Sequence, residues 1–135
     1  FGTDFKNINY YSRNVNNVDI FTKGVLRFEH AVASFQVGLG VKTEGNLVIS
    51  GTKGYVYVPA PWWKTDYFEL RYEDQNLNRK YFYSWDEPGL RYEIQEFVSC
   101  IVNSRPTSAR LSPKESICMA GVMQQFAERN NLFEI

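Results

Sequence analysis

Apolar residues recur at every second position along much of the chain up to about Trp85, and this spacing predicts β-strands with one apolar and one polar face. The clearest instance runs from Ala33 to Val41, where small or polar residues separate the apolar ones. The other predicted strands are Val18–Phe28, Leu47–Ile49, Tyr55–Val58, Tyr67–Glu73 and Lys80–Trp85. We therefore expect this part of the chain to form a sheet.

Short segments rich in polar residues or glycine separate the predicted strands. Glu29-His30 and Asp74–Asn78 are expected to turn, and Gly51–Gly54 offers glycines that reach positive φ without steric cost. Strands joined so tightly must pair mostly antiparallel, because a parallel crossover needs about a dozen residues or more.

The spacing of the apolar residues changes after the last predicted strand. Apolar side chains then fall on one stripe of a helix that Pro106 ends, namely Leu90, Ile94, Phe97, Val98 and Ile101.

A second helix is predicted from Ser112 to about Asn130. Ser112 and Glu115 have the spacing of a capping box, and Pro113 stands at the first helical position, where its missing N–H costs nothing. The predicted fold class is α+β, with an open-faced, predominantly antiparallel (mixed) β-sheet and two C-terminal helices packed on one face.

The composition is that of one globular domain, residues 1–135, with 15 basic and 15 acidic side chains and no net charge. Scattered Lys and Arg without an excess argue against a nucleic-acid partner. No apolar run approaches the roughly 18–20 residues that span a bilayer, so no membrane partner is expected. Cys100 and Cys118 are expected to be buried free thiols in a reducing cytoplasm, although a disulfide between the helices stays open. A first residue of Phe1 rather than Met suggests a fragment or a processed product.

Two short features look like functional motifs, a dinucleotide-binding loop and a histidine site, but each lacks other residues that such a motif requires. Gly38-Leu39-Gly40 lacks the third glycine of a dinucleotide loop, because Thr43 stands there and another strand follows. His30 is the only histidine and falls in a predicted turn without a second His or Cys nearby. The sequence therefore predicts no catalytic, cofactor-binding or metal-binding residue.

Two pairs of residues are candidates for substrate binding. Trp62 and Trp63 follow two prolines, and indole rings stack on the apolar faces of sugars. A subunit contact, or burial against the sheet, is the alternative for them. Arg91 and Tyr92 open the first helix, where backbone N–H groups and a guanidinium can hold an anionic or hydroxyl-rich ligand. Solvation of that turn is the alternative for this pair.

Four segments occur in an informative order: Val18-Asp19 before a strand, the run Leu47–Tyr55, then Tyr92–Phe97, then Ser112–Ser116. Together they resemble the segments that follow the catalytic helix in the Gfo/Idh/MocA family of NAD(P)-dependent oxidoreductases. The hairpin Ile49-Ser50-Gly51-Thr52-Lys53-Gly54 carries most of the similarity, which covers nearly the whole chain.

The resemblance implies a C-terminal substrate-binding and oligomerisation domain of an oxidoreductase acting on a sugar, cyclitol or nucleotide-sugar. The family's NAD(P)-binding Rossmann domain, with its catalytic lysine and histidine, has no counterpart in this sequence. Leu26 stands four positions before His30, where the family's helix has Asp. We therefore expect neither cofactor binding nor catalysis from this chain alone.

The sheet is also expected to bind a second copy of the chain, because two helices can cover only one of its faces. The residues expected on the other face are Ser34, Gln36, Gly38, Tyr67, Glu69 and Arg71, or else the row Tyr81, Tyr83 and Trp85. A stand-alone, non-catalytic binding or dimerisation module is the alternative function. An unrelated α+β domain with the same pattern is a third.

Overall fold

The computed structural model describes residues 3–84 and 89–135. Its strands are β1 (Asn7–Val15), β2 (Val18–Arg27), β3 (Val32–Val37), β4 (Leu47–Ser50), β5 (Gly54–Val58), β6 (Tyr67–Tyr72), β7 (Arg79–Phe82) and β8 (Leu132–Glu134). Its helices are α1 (Leu90–Val102) and α2 (Pro113–Ala127), with short 3-10 turns at Trp62–Lys64 and Gln75–Leu77.

The strands form two four-stranded sheets, in the orders β3-β2-β1-β8 and β4-β5-β6-β7. Paired strands in the described ranges are antiparallel, apart from β1 and β8, which are parallel. The α+β fold class with mostly antiparallel strands and two helices near the C-terminus is therefore confirmed. The chain groups into a first unit, residues 1–42 with 93–135, and a second unit, residues 43–92.

The core of the first unit lies between β1 and α2. Ile8, Tyr10 and Ser12 alternate along β1 and are fully buried. The Tyr10 hydroxyl donates to the carbonyl oxygen of Val122 at 2.6 Å, and its ring meets Phe126 edge-on with centroids 5.3 Å apart. Burial raises the pKa of Tyr10, so the hydroxyl stays a donor. Neither β1 nor β8 is among the strands that the sequence predicts.

Strand β3 ends at Val37, so the predicted continuation to Val41 is wrong. The chain leaves the ladder at Gly38, where a Cβ would lie 2.7 Å from the carbonyl oxygen of Ile20. The Gly40 N–H donates to that same oxygen at 2.9 Å. This close passage over β2 accounts for both glycines without any phosphate-binding role.

The turn between β4 and β5 forms where it is predicted, with the Gly51 N–H donating to the Gly54 carbonyl oxygen at 2.9 Å. The predicted reason is wrong, because neither glycine has a left-handed φ. A Cβ on Gly54 would instead lie 2.5 Å from the carbonyl oxygen of Arg71 on β6. Glycine is needed here so that β5 can approach β6.

The predicted capping box opens α2. Ser112 Oγ accepts from the Glu115 N–H at 3.3 Å, and Glu115 Oε2 accepts from the Ser112 N–H at 2.7 Å. The helix ends at Ala127, slightly before the predicted Asn130.

The loop between α1 and α2 is organised by one carboxylate. Glu96 Oε1 accepts from Ser108 Oγ at 2.9 Å, from the Ala109 N–H at 3.3 Å and from Arg105 Nη1 at 3.4 Å. These donors, the Ser108 hydroxyl first, hold the pKa of Glu96 below its usual value. The predicted apolar stripe of α1 is largely exposed in the structure; Phe97, for example, is 67% exposed.

Three further expectations concern individual residues. His30 lies in a bend next to Glu29 with its side chain 90% exposed, as expected of a turn residue. Cys100 and Cys118 are free thiols, but each is half-buried rather than buried. Trp85, the last residue of the predicted aromatic row, lies outside the described residues.

Candidate functional site

Trp62 and Trp63 lie with Lys64 in a 3-10 turn between β5 and β6. The Trp62 N–H donates to the carbonyl oxygen of Gly45 at 2.9 Å. Gly45 has a left-handed φ of +64°, which glycine adopts without steric cost, and the Trp63 ring lies beside it. The two indoles meet edge to face at 6.0 Å and are 50% and 64% exposed, so the loop is anchored while both rings keep exposed surface.

Arg91 and Tyr92 lie in the first turn of α1, where the sequence predicts them. The Tyr92 N–H donates to the carbonyl oxygen of Gly89 at 3.0 Å, which closes this turn. That the two tryptophans share one substrate site with Arg91 and Tyr92 stays a prediction.

The second sheet carries charged and aromatic side chains together on one side. Directly opposite residues of an antiparallel pair share a side of the sheet, and the register pairs Glu69 with both Tyr57 and Lys80. We call this side the charged face; its residues are Tyr55, Tyr57, Tyr67, Glu69, Arg71, Lys80 and Phe82.

Arg71 is held on the charged face by three neighbours. Its Nε donates to Glu69 Oε2 at 2.6 Å, and its guanidinium carbon lies 4.3 Å from the centre of the Tyr57 ring. Its Nη1 also donates to the Tyr55 hydroxyl at 3.5 Å. The hydrogen bond to Tyr55, followed by the bond to Glu69, raises the pKa of Arg71, so this group stays charged near neutral pH.

Lys80 lies on the other side of the same carboxylate. Its Nζ is 3.8 Å from Glu69 Oε1 and 3.4 Å from the centre of the Tyr67 ring. The Phe82 ring centre is 5.2 Å away. One carboxylate therefore links two cations, each of which lies over an aromatic ring.

The charged face has an excess of positive charge. Arg71 and Lys80 carry two positive charges against the one negative charge of Glu69, and their side chains are 36% and 41% exposed. Within the described ranges, Arg71 Nη2 makes no hydrogen bond. Such an arrangement can bind an oxyanion or an acidic patch of a partner.

The structure also shows which of the predicted face residues lie together. Tyr67, Glu69 and Arg71 share the charged face, as expected from their spacing. Tyr81 and Tyr83 instead lie with Phe68 on the opposite side, where ring centroids are 5.0 and 5.8 Å apart.

The first sheet has its own side facing away from α2. Ser34 and Gln36 lie there, opposite Val25 and Lys23 of β2, whereas Gly38 falls beyond the end of β3. The predicted grouping of Ser34 with Gln36 is therefore confirmed, and the inclusion of Gly38 in a strand is wrong.

Sequence reasoning missed the part of the charged face contributed by β5 and β7. Tyr55 and Tyr57 are spaced for one side of a strand, and Lys80 and Phe82 are spaced the same way. That signal identifies pairs on each strand, but only the register places both pairs beside Glu69.

Beyond the two sheets, a groove of about 630 Å³ lies in the first unit between the segment before β1 and α2. An ion pair at its rim joins Lys114 Nζ to Asp4 Oδ1 at 3.0 Å. Among the residues that the structure describes, no group of three or more His, Cys, Asp or Glu side chains could hold a metal. In the same ranges, neither helix is long and apolar enough to cross a membrane.

Comparison with known protein families finds no family model that matches the chain. No curated protein matches it either. The resemblance to the Gfo/Idh/MocA family therefore depends on the order of the sequence segments alone.

Proposed function

We propose that this chain is the C-terminal substrate-binding and oligomerisation domain of an NAD(P)-dependent oxidoreductase that acts on a sugar, cyclitol or nucleotide-sugar. The domain alone is inactive, because the lysine and histidine that move protons in such enzymes lie outside this sequence. The order of the sequence segments supports the proposal, and so does an α+β fold with mostly antiparallel strands. Free thiols at Cys100 and Cys118 are consistent with a reducing cytoplasm.

The charged face is the observation that supports the oligomerisation part of the proposal. Tyr and Arg are enriched at protein contacts because they bury much area and keep a polar group. Glu69 lies between Arg71 and Lys80, so the face carries both signs of charge within one patch. Such a patch can complement itself across a two-fold axis, and the expected partner is a second copy of this chain.

Light scattering after size exclusion tests the association. We expect a mass near twice the 15.7 kDa of one chain at high micromolar concentration. Arg71→Glu should return the protein to the mass of one chain, because it places two carboxylates beside each other. Lys53→Glu makes the same charge change in an exposed turn and serves as the control. A mass of one chain for the unmodified protein at every concentration would contradict the oligomerisation.

A calorimetric titration with NADH and NADPH tests the expected inactivity. We expect no binding at micromolar concentrations, because the chain has no glycine-rich phosphate loop. One site with micromolar affinity would show that the assignment to a C-terminal domain is wrong.

The stand-alone, non-catalytic binding or dimerisation module would use the same charged face. The length of the native gene product separates the two proposals. A product of roughly 300 residues or more, extended upstream of Phe1, supports the enzyme domain, since two domains of usual size are then present. A product of the present length supports the module.

A further inference from the structure

The side of the first sheet that faces away from α2 collects positive charge. We call it the basic face; its residues in the described strands are Asn7, Asn9, Tyr11, Arg13, Phe21, Lys23, Val25, Arg27, Val32, Ser34, Gln36 and Phe133. The acidic residues of these strands, Asp19 and Glu134, pair with Asn14 and Ser12. Both partners alternate with Arg13 along β1 and so lie on the other side of the sheet. The basic face therefore carries three cations and, within the described strands, no carboxylate.

The three cations of the basic face are uncompensated. Arg13, Lys23 and Arg27 are exposed, and their side chains make no ion pair or hydrogen bond within residues 3–84 and 89–135. Lys23 and Arg27 are four residues apart on β2, which is about 13 Å along a strand. Arg13 is the diagonal neighbour of Lys23 on β1, at about 7–8 Å. Positive charge repeated along the sheet in this way complements a polyanion, whose charges also repeat.

Two aromatic rings lie beside these cations. Tyr11 is directly opposite Lys23, and its ring stacks on that of Phe133 with centroids 5.5 Å apart and planes 23° apart. The two residues are 38% and 52% exposed, so both keep surface for a further ring. Asn7 and Asn9, joined by a hydrogen bond of 3.4 Å, add amide groups to the same side of β1. Aromatic rings next to cations are the combination on which successive nucleic-acid bases stack, and amide groups can hydrogen-bond to base edges.

We infer that the basic face binds a single-stranded nucleic acid, with phosphates along Arg13, Lys23 and Arg27 and bases on Tyr11 and Phe133. A single strand fits better than a duplex, because a duplex keeps its bases stacked inside and offers no base to the rings. An acidic protein would use the cations but not the stacked rings.

The inference goes beyond the proposed function, since it concerns the first sheet and leaves the charged face of the second sheet to a second copy of the chain. The zero net charge of the whole chain argues against a nucleic-acid partner. That sum averages over all surfaces, whereas the register of β1 and β2 brings three cations to one side. The charge of this side, and not that of the chain, decides what it binds.

Fluorescence anisotropy at low salt tests the inference with labelled oligothymidylate and oligouridylate. We expect micromolar affinity and a slope of about −2 for the logarithm of the binding constant against that of the salt concentration, because three phosphates contribute about −0.7 each. Comparing the two probes shows whether DNA or RNA is the better ligand. A DNA duplex and polyglutamate of the same length should bind about tenfold or more weakly, because neither offers a base to stack.

Matched variants locate the site. Lys23→Gln and Arg27→Gln should each reduce the magnitude of the salt slope by about 0.7. Tyr11→Leu should weaken both single strands about tenfold and leave the slope unchanged, because stacking releases no counterions. Lys42→Gln removes an exposed cation outside the strands of the first sheet and should change neither quantity. Circular dichroism of each variant confirms that the fold is retained.

Four results would overturn the inference. The first is no binding of either single strand at high micromolar protein and low salt. The second is an equal change of the salt slope by Lys23→Gln and Lys42→Gln, since the second of these cations lies off the basic face. The third is a duplex that binds as tightly as the single strands, which would mean that charge alone attracts the probe. The fourth is polyglutamate binding as tightly as oligothymidylate, which would make an acidic protein the partner.

Discussion

Truncation of Tyr10 should lower the unfolding free energy of the first unit more than a comparable truncation on the other side of β1. Tyr10 is 1% exposed, and its ring fills the space between β1 and Phe126 of α2. Its hydroxyl also reaches the backbone of α2 at Val122. The side chain therefore joins the strand to the helix in two ways, by burial and by a hydrogen bond.

The two contributions can be separated by two substitutions. Tyr10→Ala removes a buried aromatic ring and leaves a cavity, which typically costs about 3–5 kcal/mol of unfolding free energy. Tyr10→Phe removes only the hydroxyl, and a net hydrogen bond is worth about 0.5–1.5 kcal/mol. We expect the lower half of that range, because the carbonyl of Val122 lies inside α2 and also accepts from the helix backbone.

Urea unfolding followed by far-ultraviolet circular dichroism is the appropriate assay, since α2 lies in the first unit and gives the helical signal. Tyr11→Ala is the matched control. Tyr11 is the next residue of β1, lies on the other side of the sheet, is 38% exposed and stacks on Phe133. Equal losses for Tyr10→Ala and Tyr11→Ala would refute the placement of the core between β1 and α2.

Four further predictions concern the helices and one close backbone contact. Ser112→Ala should cost about 0.5–2 kcal/mol in urea unfolding, because it removes the N-cap of α2. The pKa of Glu96 in the folded protein lies below its usual value of 4.5, so the ionised carboxylate stabilises the fold fully above pH 4.5 and this stabilisation is lost as the pH falls through the folded pKa. Glu96→Gln should therefore flatten the acid side of a stability–pH profile. Gly38→Ala should cost about 1–3 kcal/mol, because its Cβ meets the Ile20 carbonyl. Gly121→Ala, whose Cβ meets open space in a helix, should instead add about 0.5–1 kcal/mol to the thermal stability.

Periodicity predicted the elements in which one face is plainly apolar. The strands β2, β4, β5 and β6 and both helices fall within a few residues of their predicted bounds. Strand β1 was missed because the third of its inward positions is Ser12, which reads as polar. Ser12 is nevertheless buried. Its hydroxyl lies 2.9 Å from that of Thr22 on β2, and this hydrogen bond replaces the one that the hydroxyl would make to water.

Long-range pairing explains the other omissions. Strand β8 has three residues and pairs in parallel with β1, so its formation depends on a strand far away in the chain. The charged face was predicted only in the part contributed by β6. Its remaining residues depend on the register of two hairpins, and a shift of one residue would move Tyr57 or Lys80 to the other side.

The two sides of the second sheet differ in their chemistry, since the charged face carries ion pairs and the opposite side carries apolar and aromatic residues. The opposite side carries Val56, Leu70 and the stacked rings of Phe68 and Tyr81, which form apolar contacts across the strands although they are half-buried or exposed. Partly exposed ion pairs contribute little to stability, typically about 0–1 kcal/mol each. Stability alone therefore does not account for two cations placed around Glu69. The contact with a second copy of the chain that we propose above does, because a fixed Arg71, a neighbouring Lys80 and an exposed Phe82 give a partner charge, direction and an apolar surface at one place.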